Sequence, residues 1–224
     1  MVGRPNTIAI DGPAGSGKSS VSVRLAERLG FLFFDTGVFY RALTYLVLQA
    51  GLAVDDEAAI VNLLAVHPLQ IQRAEGSDYR LLAGAVDITG FLRSAEVEQH
   101  VSQVAQLPQV RAALLPLQQQ VGQQGNIIMA GRDIGTVILP EADLKLFIDA
   151  SPAERARRRH QQLRDQGQDA VLADIEKAMV ERDRIDSERA VAPLVMANDA
   201  IYIMTDNRSL EEVVQQIYDM IEAS

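Results

Sequence analysis

The chain predicts an α/β fold in which a five-stranded parallel sheet carries helices on both faces. Three observations predict it. Five short apolar runs, at 7–10, 31–34, 126–130, 144–149 and 200–204, alternate with helical stretches, as a covered parallel sheet requires. The first run leads directly into Gly12-Pro13-Ala14-Gly15-Ser16-Gly17-Lys18-Ser19, which fits G-x-x-x-x-G-K-[ST], and a helical pattern follows it. That order of strand, loop and helix makes the sheet one of the P-loop NTP hydrolase type. Two segments then break the alternation: one turns to period two, and one is rich in arginine. They predict a small antiparallel three-stranded insertion and a helical lid.

The loop motif is the strongest single signal. Gly12, Gly15 and Gly17 allow positive φ, so the backbone can turn its N–H groups inward and, with the helix N-terminus, form an anion site. Lys18 reaches β- and γ-phosphates in such a loop, and the Ser19 hydroxyl ligates Mg²⁺. The following helix, over 20–29, has Val21, Leu25, Ala26 and Leu29 on one face, and Gly30 stops it.

The second apolar run ends at Asp35-Thr36-Gly37, and ligands in open parallel sheets sit beyond strand C-termini. The helix expected over 38–50 opens with Tyr40 and Arg41. Arg41 is a candidate for a second phosphate and Tyr40 for packing on a sugar or base; equally, Tyr40 is core and Arg41 surface. A helix over 55–65 precedes the period-two stretch at Leu69-Gln70-Ile71-Gln72-Arg73, Tyr79-Arg80-Leu81-Leu82 and Ala85-Val86-Asp87-Ile88, with Glu75-Gly76-Ser77-Asp78 as the first turn. Asp87-Ile88-Thr89-Gly90 matches the D-x-x-G of GTPases, but no N-K-x-D base-reading motif accompanies it, so the match reads as coincidence. Helical sequence resumes at Ser94, a cap, and runs to about 124, with Pro108 and Pro116 expected at breaks or first turns. Ser102 and Arg111 lie on it.

The third apolar run delivers Gly131-Arg132-Asp133-Ile134-Gly135-Thr136 past a strand end. The arginine can hold phosphate. The aspartate can accept from a ligand amino group or help orient Mg²⁺, or the two form a structural ion pair. Ser151-Pro152-Ala153-Glu154 is a helix start, with Ser at N-cap, Pro at N1 and Glu at N3. That helix bears Arg155, Arg157, Arg158 and Arg159, and a second, over 171–184, leads into Arg182, Asp186 and Arg189. Two charged helices joined through Gly167 predict a mobile flap that closes over transferred phosphate. The last helix, to about 221, opens on the capping box Ser209-Leu210-Glu211-Glu212.

Bulk composition narrows the partners. The 224 residues carry a net charge of −9, which disfavours a polynucleotide, and 48% hydrophobic content without a membrane-length apolar run. No apolar leader precedes the first strand, and the absence of cysteine excludes disulfides and thiolate metal sites; a reducing cytoplasm is the expected compartment. Apart from Lys18, Lys145 and Lys177 every basic residue except the histidines is arginine, and eight arginines crowd between Arg155 and Arg189. An acidic chain with a local arginine cluster suits a small phosphorylated ligand.

Together, Ile10-Asp11-Gly12-Pro13-Ala14-Gly15-Ser16-Gly17-Lys18-Ser19, Asp35-Thr36-Gly37 with Tyr40-Arg41, Gly131-Arg132-Asp133-Ile134-Gly135-Thr136-Val137 and Arg189-Ala190-Val191-Ala192-Pro193-Leu194 resemble bacterial cytidylate kinases, nucleoside monophosphate kinases of the P-loop group. The resemblance runs essentially end to end. It implies phosphorylation of CMP and dCMP by ATP with Mg²⁺, by direct in-line transfer. It implies a core of 1–37, 106–151 and 191–224, an NMP-binding insertion over 38–105 and a lid over 152–190. Arg41, Arg132 and Arg189 are expected on the CMP phosphate, Ser102, Arg111 and Asp133 on cytosine, and Tyr40, Arg182 and Asp186 on the ribose, with Thr36 beside the acceptor. Residues 12–20 and Arg157 are expected around ATP, Ser19 on the metal, and Lys18, Arg132, Arg182 and Asp133 at the chemistry, with Arg155 and Arg158 as further lid candidates. The alternatives are a P-loop kinase for UMP or a non-nucleotide acceptor such as a shikimate-like acid, and a nucleotide sensor without turnover. The expected protein is a cytoplasmic monomer that binds no nucleic acid and no membrane.

Overall fold

Five apolar segments flanked by helices leave their backbone groups no water to bond to, so they pair with each other. In a computed structural model, which describes residues 4–73 and 79–223, they form one sheet. Its strands are β1 (Thr7–Asp11), β2 (Leu32–Asp35), β6 (Ile127–Gly131), β7 (Leu144–Asp149) and β8 (Ile201–Met204). The order is β2-β6-β1-β7-β8, and every pairing is parallel. The registers set Asp11 beside Gly131 and Phe147, and Asp35 beside Ala130. The C-terminal ends of β1, β2 and β6 are thereby drawn level, which gathers the loops that follow them.

One face of this sheet packs on two helices, α1 (Lys18–Leu29) and α8 (Leu210–Glu222). Val21, Leu25 and Leu29 from α1 and Val213, Val214, Ile217 and Ile221 from α8 meet Ile8, Ile10, Ile128, Leu146, Ile148 and Ile203 from the strands. Each such side chain, fully buried, is worth roughly 1.5–3 kcal/mol. The capping box at Ser209 and Glu212 forms as expected, with both reciprocal bonds present. Strands β2 and β8 are the two edges of the sheet.

By its internal contacts the chain divides into two units, residues 1–35 with 122–224, and residues 36–121. The second unit contains α2 (Gly37–Gln49), α3 (Glu57–Val66), β3 (Leu69–Arg73), β4 (Tyr79–Ala83), β5 (Val86–Asp87), α4 (Ala95–Ala105) and most of α5 (Pro108–Gly122). Strands β3, β4 and β5 form the expected antiparallel meander; the turn expected at Glu75-Gly76-Ser77-Asp78 lies outside the described residues. The D-x-x-G stretch is local structure: Asp87 Oδ1 accepts from Thr89 N at 3.0 Å and Thr89 Oγ1 at 2.6 Å, closing a turn against β4. Ser94 caps α4 by accepting from Val97 N.

Two helix expectations need correction. Pro116 does not interrupt α5 but lies within it. Val110, Leu114 and Gln118 are buried at four-residue spacing on the same helix, and that packing outweighs the single backbone bond Pro116 cannot donate. The second helix of the arginine-rich segment, α7 (Leu172–Glu188), runs four residues past 184. There Arg184 bonds Glu181 at 2.7 Å and Glu188 at 2.9 Å, i,i+3 and i,i+4 pairs that extend the helical turn.

The phosphate loop leaves β1 with Gly12 at φ 150°, and a Cβ there would overlap the Ile148 carbonyl oxygen on β7. A Cβ on Gly17, at φ 91°, would meet only Arg158 Nη1 at 3.5 Å. Gly17→Ala should therefore cost about 1–2 kcal/mol, the price of a left-handed backbone, whereas Gly12→Ala should cost more than about 3 kcal/mol because it must also displace a strand. Thermal unfolding of the two variants measures the order; equal losses would mean that β7 yields freely at Ile148.

Candidate active site

Lys18 is the first residue of α1, and it is buried. Its Nζ donates to Pro13 O at 2.9 Å, folding the side chain over its own loop. The other loop carbonyls are held from outside. Ala14 O accepts from Arg155 Nη1 at 3.2 Å, and Ser16 O accepts from Thr205 Oγ1 at 3.0 Å and Arg158 Nη1 at 3.3 Å. Apart from Ser16 N, which donates to Pro13 O at 3.5 Å, no amide from Gly12 to Ser19 makes a turn or loop backbone bond among the described residues, the polarity a phosphate cradle needs. Ser16 Oγ is buried and finds no hydrogen-bond partner among the described residues, as fits a hydroxyl that meets a ligand oxygen. Ser19 is half-buried in the first turn of α1, and Ser20 is exposed beside it. Among the described residues no three acidic or imidazole side chains converge into a cation cage. A Mg²⁺ ion, were one held through Ser19, would therefore have to draw its other ligands from phosphate oxygens and water.

The arginine-rich helices are packed on this loop. Helix α6 (Pro152–Asp165) begins at the Ser151 cap as expected and lies against α7. Arg155 is buried and donates to Ala150 O at 2.9 Å, and it pairs with Asp183 of α7 at 2.6 Å. A Cβ on Gly15 would come within 2.7 Å of Met179 Cε from α7. Arg158 spans Glu154, Ser16 O and both Thr205 oxygens. Arg157 faces solvent and forks onto Glu154 at 2.8 and 2.9 Å.

The Arg132–Asp133 pair follows β6 and opens a π-helical turn, Ile134–Ile138. Arg132 Nε donates to Asp186 Oδ2 at 2.7 Å, and Arg189 Nη2 to Asp133 Oδ1 at 3.2 Å. Arg189 also donates through Nε to Ala192 O at 2.6 Å. Ala192 adopts φ 52°, a conformation rare for alanine, and that turn points its carbonyl at the guanidinium. Burial opposes ionisation of Asp186, but the charge and hydrogen bond of Arg132, with Arg182 and Arg189 nearby, outweigh it and hold the carboxyl below its ordinary range. Lys18 is driven the other way: burial, then the positive field of Arg132 and Arg182, lowers its pKa, with Asp35 and Asp186 opposing. Lys18, Arg132, Asp133, Arg182, Asp186 and Arg189 therefore form one electrostatic cluster in the first unit. An incoming phosphate would relieve the repulsion among its cations.

Thr36, Tyr40, Arg41, Ser102 and Arg111 belong to the second unit. Thr36 is the buried N-cap residue of α2. Tyr40 is buried, and the Arg111 guanidinium lies over its ring, 5.3 Å from the centroid. Arg111 also donates to Ala105 O at 3.0 Å. Arg41 Nε donates to Glu98 Oε1 at 3.0 Å, tying α2 to α4, and Ser102 lies one turn beyond Glu98, half-buried. The chain thus brings Tyr40 with Arg111, and Arg41 with the helix that bears Ser102.

Each unit also contains residues the sequence did not flag for a role. Asp11, Thr205 and Asp183 in the first unit, and Glu98 in the second, sit in no motif slot whose chemistry demands them, although Asp11 is conspicuous as a carboxylate ending a buried strand. It is buried at the C-terminus of β1, where Oδ1 accepts from Ile134 N at 2.7 Å and Oδ2 from Gly135 N at 2.8 Å.

These motifs agree with what the whole chain matches. The family model described as cytidylate kinase covers residues 8–223. The chain belongs to the cytidylate kinase family. Curated relatives named cytidylate kinase from Streptococcus pneumoniae strains 70585 and TIGR4 are each 47% identical over 210 residues, covering 94% of both chains. Among solved structures, a gluconokinase from Sinorhizobium meliloti 1021 matches at a TM-score of 0.50 and 14% identity over 98% of this chain and 93% of its own. An uncharacterized protein from Eubacterium ventriosum matches at 0.52 and 12% identity over 98% and 99%. These distant likenesses show the same fold, and the family match runs across both units of the chain. No helix among the described residues is long and apolar enough to cross a membrane.

Burial drives the Asp11 carboxyl from 3.8 up to about 6, against the backbone bonds from Gly135 and Ile134 and the charge of Lys18, with Asp133 adding to the rise. A native pKa above the unfolded one gives stability that is complete below the unfolded value and is lost as pH rises through the native one. The unfolding free energy of wild type relative to Asp11→Asn should thus fall by up to about 3 kcal/mol from about pH 4 to about pH 7. Urea denaturation across that range measures it; a difference that stays flat would place Asp11 in water.

Proposed function

We propose that this chain transfers the γ-phosphoryl group of ATP to a phosphate oxygen of CMP or dCMP, giving ADP with CDP or dCDP. The observation that carries the reading is the joining of Lys18 and the phosphate loop to Arg132, Asp133, Arg182, Asp186 and Arg189 in one cluster, in a member of this family. In the transfer a bond forms between the acceptor oxygen and the γ-phosphorus as the bond to the bridging β-oxygen breaks, and the electron pair leaves with ADP. The acceptor is already an anion, so no strong base is needed; catalysis is positioning and charge compensation.

In this reading residues 12–20 hold the ATP phosphates, Ser19 would hold a Mg²⁺ ion that would supply neutralising charge there, and Lys18, Arg132 and Arg182 meet the charge that spreads during transfer. For Arg157 to join them it must leave its fork on Glu154. Arg132 and Arg189 are assigned to the acceptor phosphate, Asp186 and Arg182 to the ribose, and Asp133 to cytosine. In the second unit the proposal assigns Thr36, Tyr40, Arg41, Ser102 and Arg111 to acceptor binding. A carboxylate accepts from the 4-amino group of cytosine and meets only a carbonyl oxygen on uracil. We place the protein in the cytoplasm as a monomer.

ADP release in the presence of CMP, dCMP, UMP, AMP and GMP in turn tests the acceptor. Turnover should favour CMP and dCMP, and Asp133→Ala should cut the preference for CMP over UMP by at least ~10-fold, since it removes a buried acceptor rather than a contact surface. Unchanged selectivity would move base reading elsewhere. Lys18→Ala should lose turnover by roughly 10³-fold or more while its melting temperature holds, because the buried ammonium is held there at a cost. A variant that fails to fold would make Lys18 structural instead.

A further inference from the structure

The amide at the mouth of α1 is aimed by a residue from the other end of the chain. Gly17 is the N-cap of α1 at φ 91°, and having no side chain it gives the first-turn amides no cap. Where its own N–H points is decided one residue earlier. The Ser16–Gly17 peptide is planar and trans, so the Ser16 carbonyl and the Gly17 N–H point in opposite directions. Whatever holds the Ser16 oxygen therefore aims the Gly17 amide. Two donors hold it, Thr205 Oγ1 at 3.0 Å and Arg158 Nη1 at 3.3 Å. Ser16 is fully buried, and its Oγ finds no hydrogen-bond partner among the described residues.

The two donors differ in what stands behind them. Arg158 belongs to α6 and divides its guanidinium among Glu154, Ser16 and Thr205. Thr205 is buried and follows β8 directly, and its own N–H donates to Asp149 O at 2.9 Å, so it is anchored to the sheet. Its hydroxyl has one proton to give. The oxygen accepts from Arg158 Nη1 at 3.0 Å and faces two carbonyls, Ser16 O at 3.0 Å and Asp149 O at 3.1 Å. Asp149 O already receives the Thr205 amide, whereas Ser16 O has the longer Arg158 bond as its other support. Loss of the hydroxyl thus falls on Ser16.

We infer that Thr205 is a positioning residue for the donor nucleotide: its hydroxyl ties the Ser16 carbonyl to the sheet and so turns the Gly17 N–H toward the phosphates in the loop. The inference rests on the reading of residues 12–20 as the site of the ATP phosphates. Thr205 acts through the Ser16–Gly17 peptide and not on the substrate.

The test compares wild type with Thr205→Val, which puts a methyl in place of the hydroxyl, and Thr205→Ser, which keeps it. It reads kcat, the KM of each substrate and the Gly17 amide resonance before and after ADP is added. A preorganised donor to a charged oxygen is worth about 10²–10³ in rate, and here it is misaimed rather than removed, so kcat/KM for ATP should fall at least ~10-fold in Thr205→Val. The KM for CMP should stay within about twofold. The Gly17 shift on adding ADP should shrink by about half or more, and Thr205→Ser should keep both properties. On an Arg158→Ala background Thr205→Val should still lower kcat/KM about fivefold, because the hydroxyl has its own bond to Ser16. If Thr205→Val does not fold, Thr205→Ala is read in the same way. A folded variant with wild-type kcat/KM for ATP overturns the proposal. So does an equal rise in KM for both substrates, the mark of general loosening, or a Thr205→Ser as impaired as Thr205→Val. A loss that vanishes without Arg158 overturns it too, since Thr205 would then merely support that arginine. A wild type whose Gly17 amide ignores ADP sinks the reading of the loop, and the proposal with it; a responsive wild type beside an equally responsive Thr205→Val sinks the proposal alone.

Discussion

Like charges buried side by side repel one another, and the first unit of this protein is arranged around that repulsion. Lys18 is buried in the field of Arg132 and Arg182, and its ammonium is correspondingly easy to deprotonate. Left alone, such a group would swing outward or lose its proton. It is held by Pro13 O and by the nearby carboxylates of Asp35 and Asp186. Asp186 is the balancing member: it pairs Arg132 at 2.7 Å and lies 3.9 Å from Arg189, so two phosphate-binding candidates share one counter-ion. In the proposed reading a phosphate would compete with Asp186 for both guanidiniums, and binding would then be an exchange of partners and not a simple addition.

The same logic governs the arginines of α6, which divide their work by direction. Arg155 and Arg158 point their guanidiniums at the carbonyls of the phosphate loop, and Arg157 points to solvent. A backbone that must present N–H groups to a ligand has to dispose of its carbonyls on the other side. Guanidinium, with five donors in a rigid fork, is suited to collect several at once. Arg158 does this for Ser16 O and Thr205 O together, so α6, the loop after β8 and the phosphate loop are fastened to one another. Any movement of α6 is then felt at the phosphate loop directly. Arg155 adds Asp183 to the linkage, which extends it to α7 and so to the helix that bears Arg182 and Asp186.

Much of this was legible in the sequence, and the reason lies in how local each signal is. The strands, the Ser151 and Ser209 caps and the meander are set by neighbours within a few residues, and so is the phosphate loop, whose glycines and lysine must be contiguous. Arg132 and Asp133 stand out in the sequence as an adjacent charge pair flanked by Gly131 and Gly135, whereas Asp186 and Arg189 are singled out by the family resemblance. What the sequence could not convey was partnership across distance. Nothing near Arg41 indicates Glu98, nothing near Arg155 indicates Asp183, and nothing distinguishes an arginine aimed at phosphate from one aimed at a carbonyl. Helix ends failed for a related reason: Pro116 is a breaker by local rules, and only the buried Val110, Leu114 and Gln118 around it decide otherwise.

Asp11 shows where local and distant information meet. Its position is fixed by the strand it ends, but its use depends on β6, which parallel pairing sets alongside with Asp11 beside Gly131. That register places the Ile134 and Gly135 amides within reach of a carboxylate that could not otherwise find a donor in a sheet interior. The pairing of β1 with β6 therefore does more than complete a sheet. It brings the strand that ends in the phosphate loop together with the strand that ends in the Arg132–Asp133 pair, and it ties the two loops through one side chain. A change in register by even one residue would turn Asp11 to the other face of the sheet and break that tie. The hydrophobic pattern of Ile8, Ile10, Ile128 and Ala130, which fixes the register by packing on α1 and α8, thus also fixes the geometry of the chemistry above it.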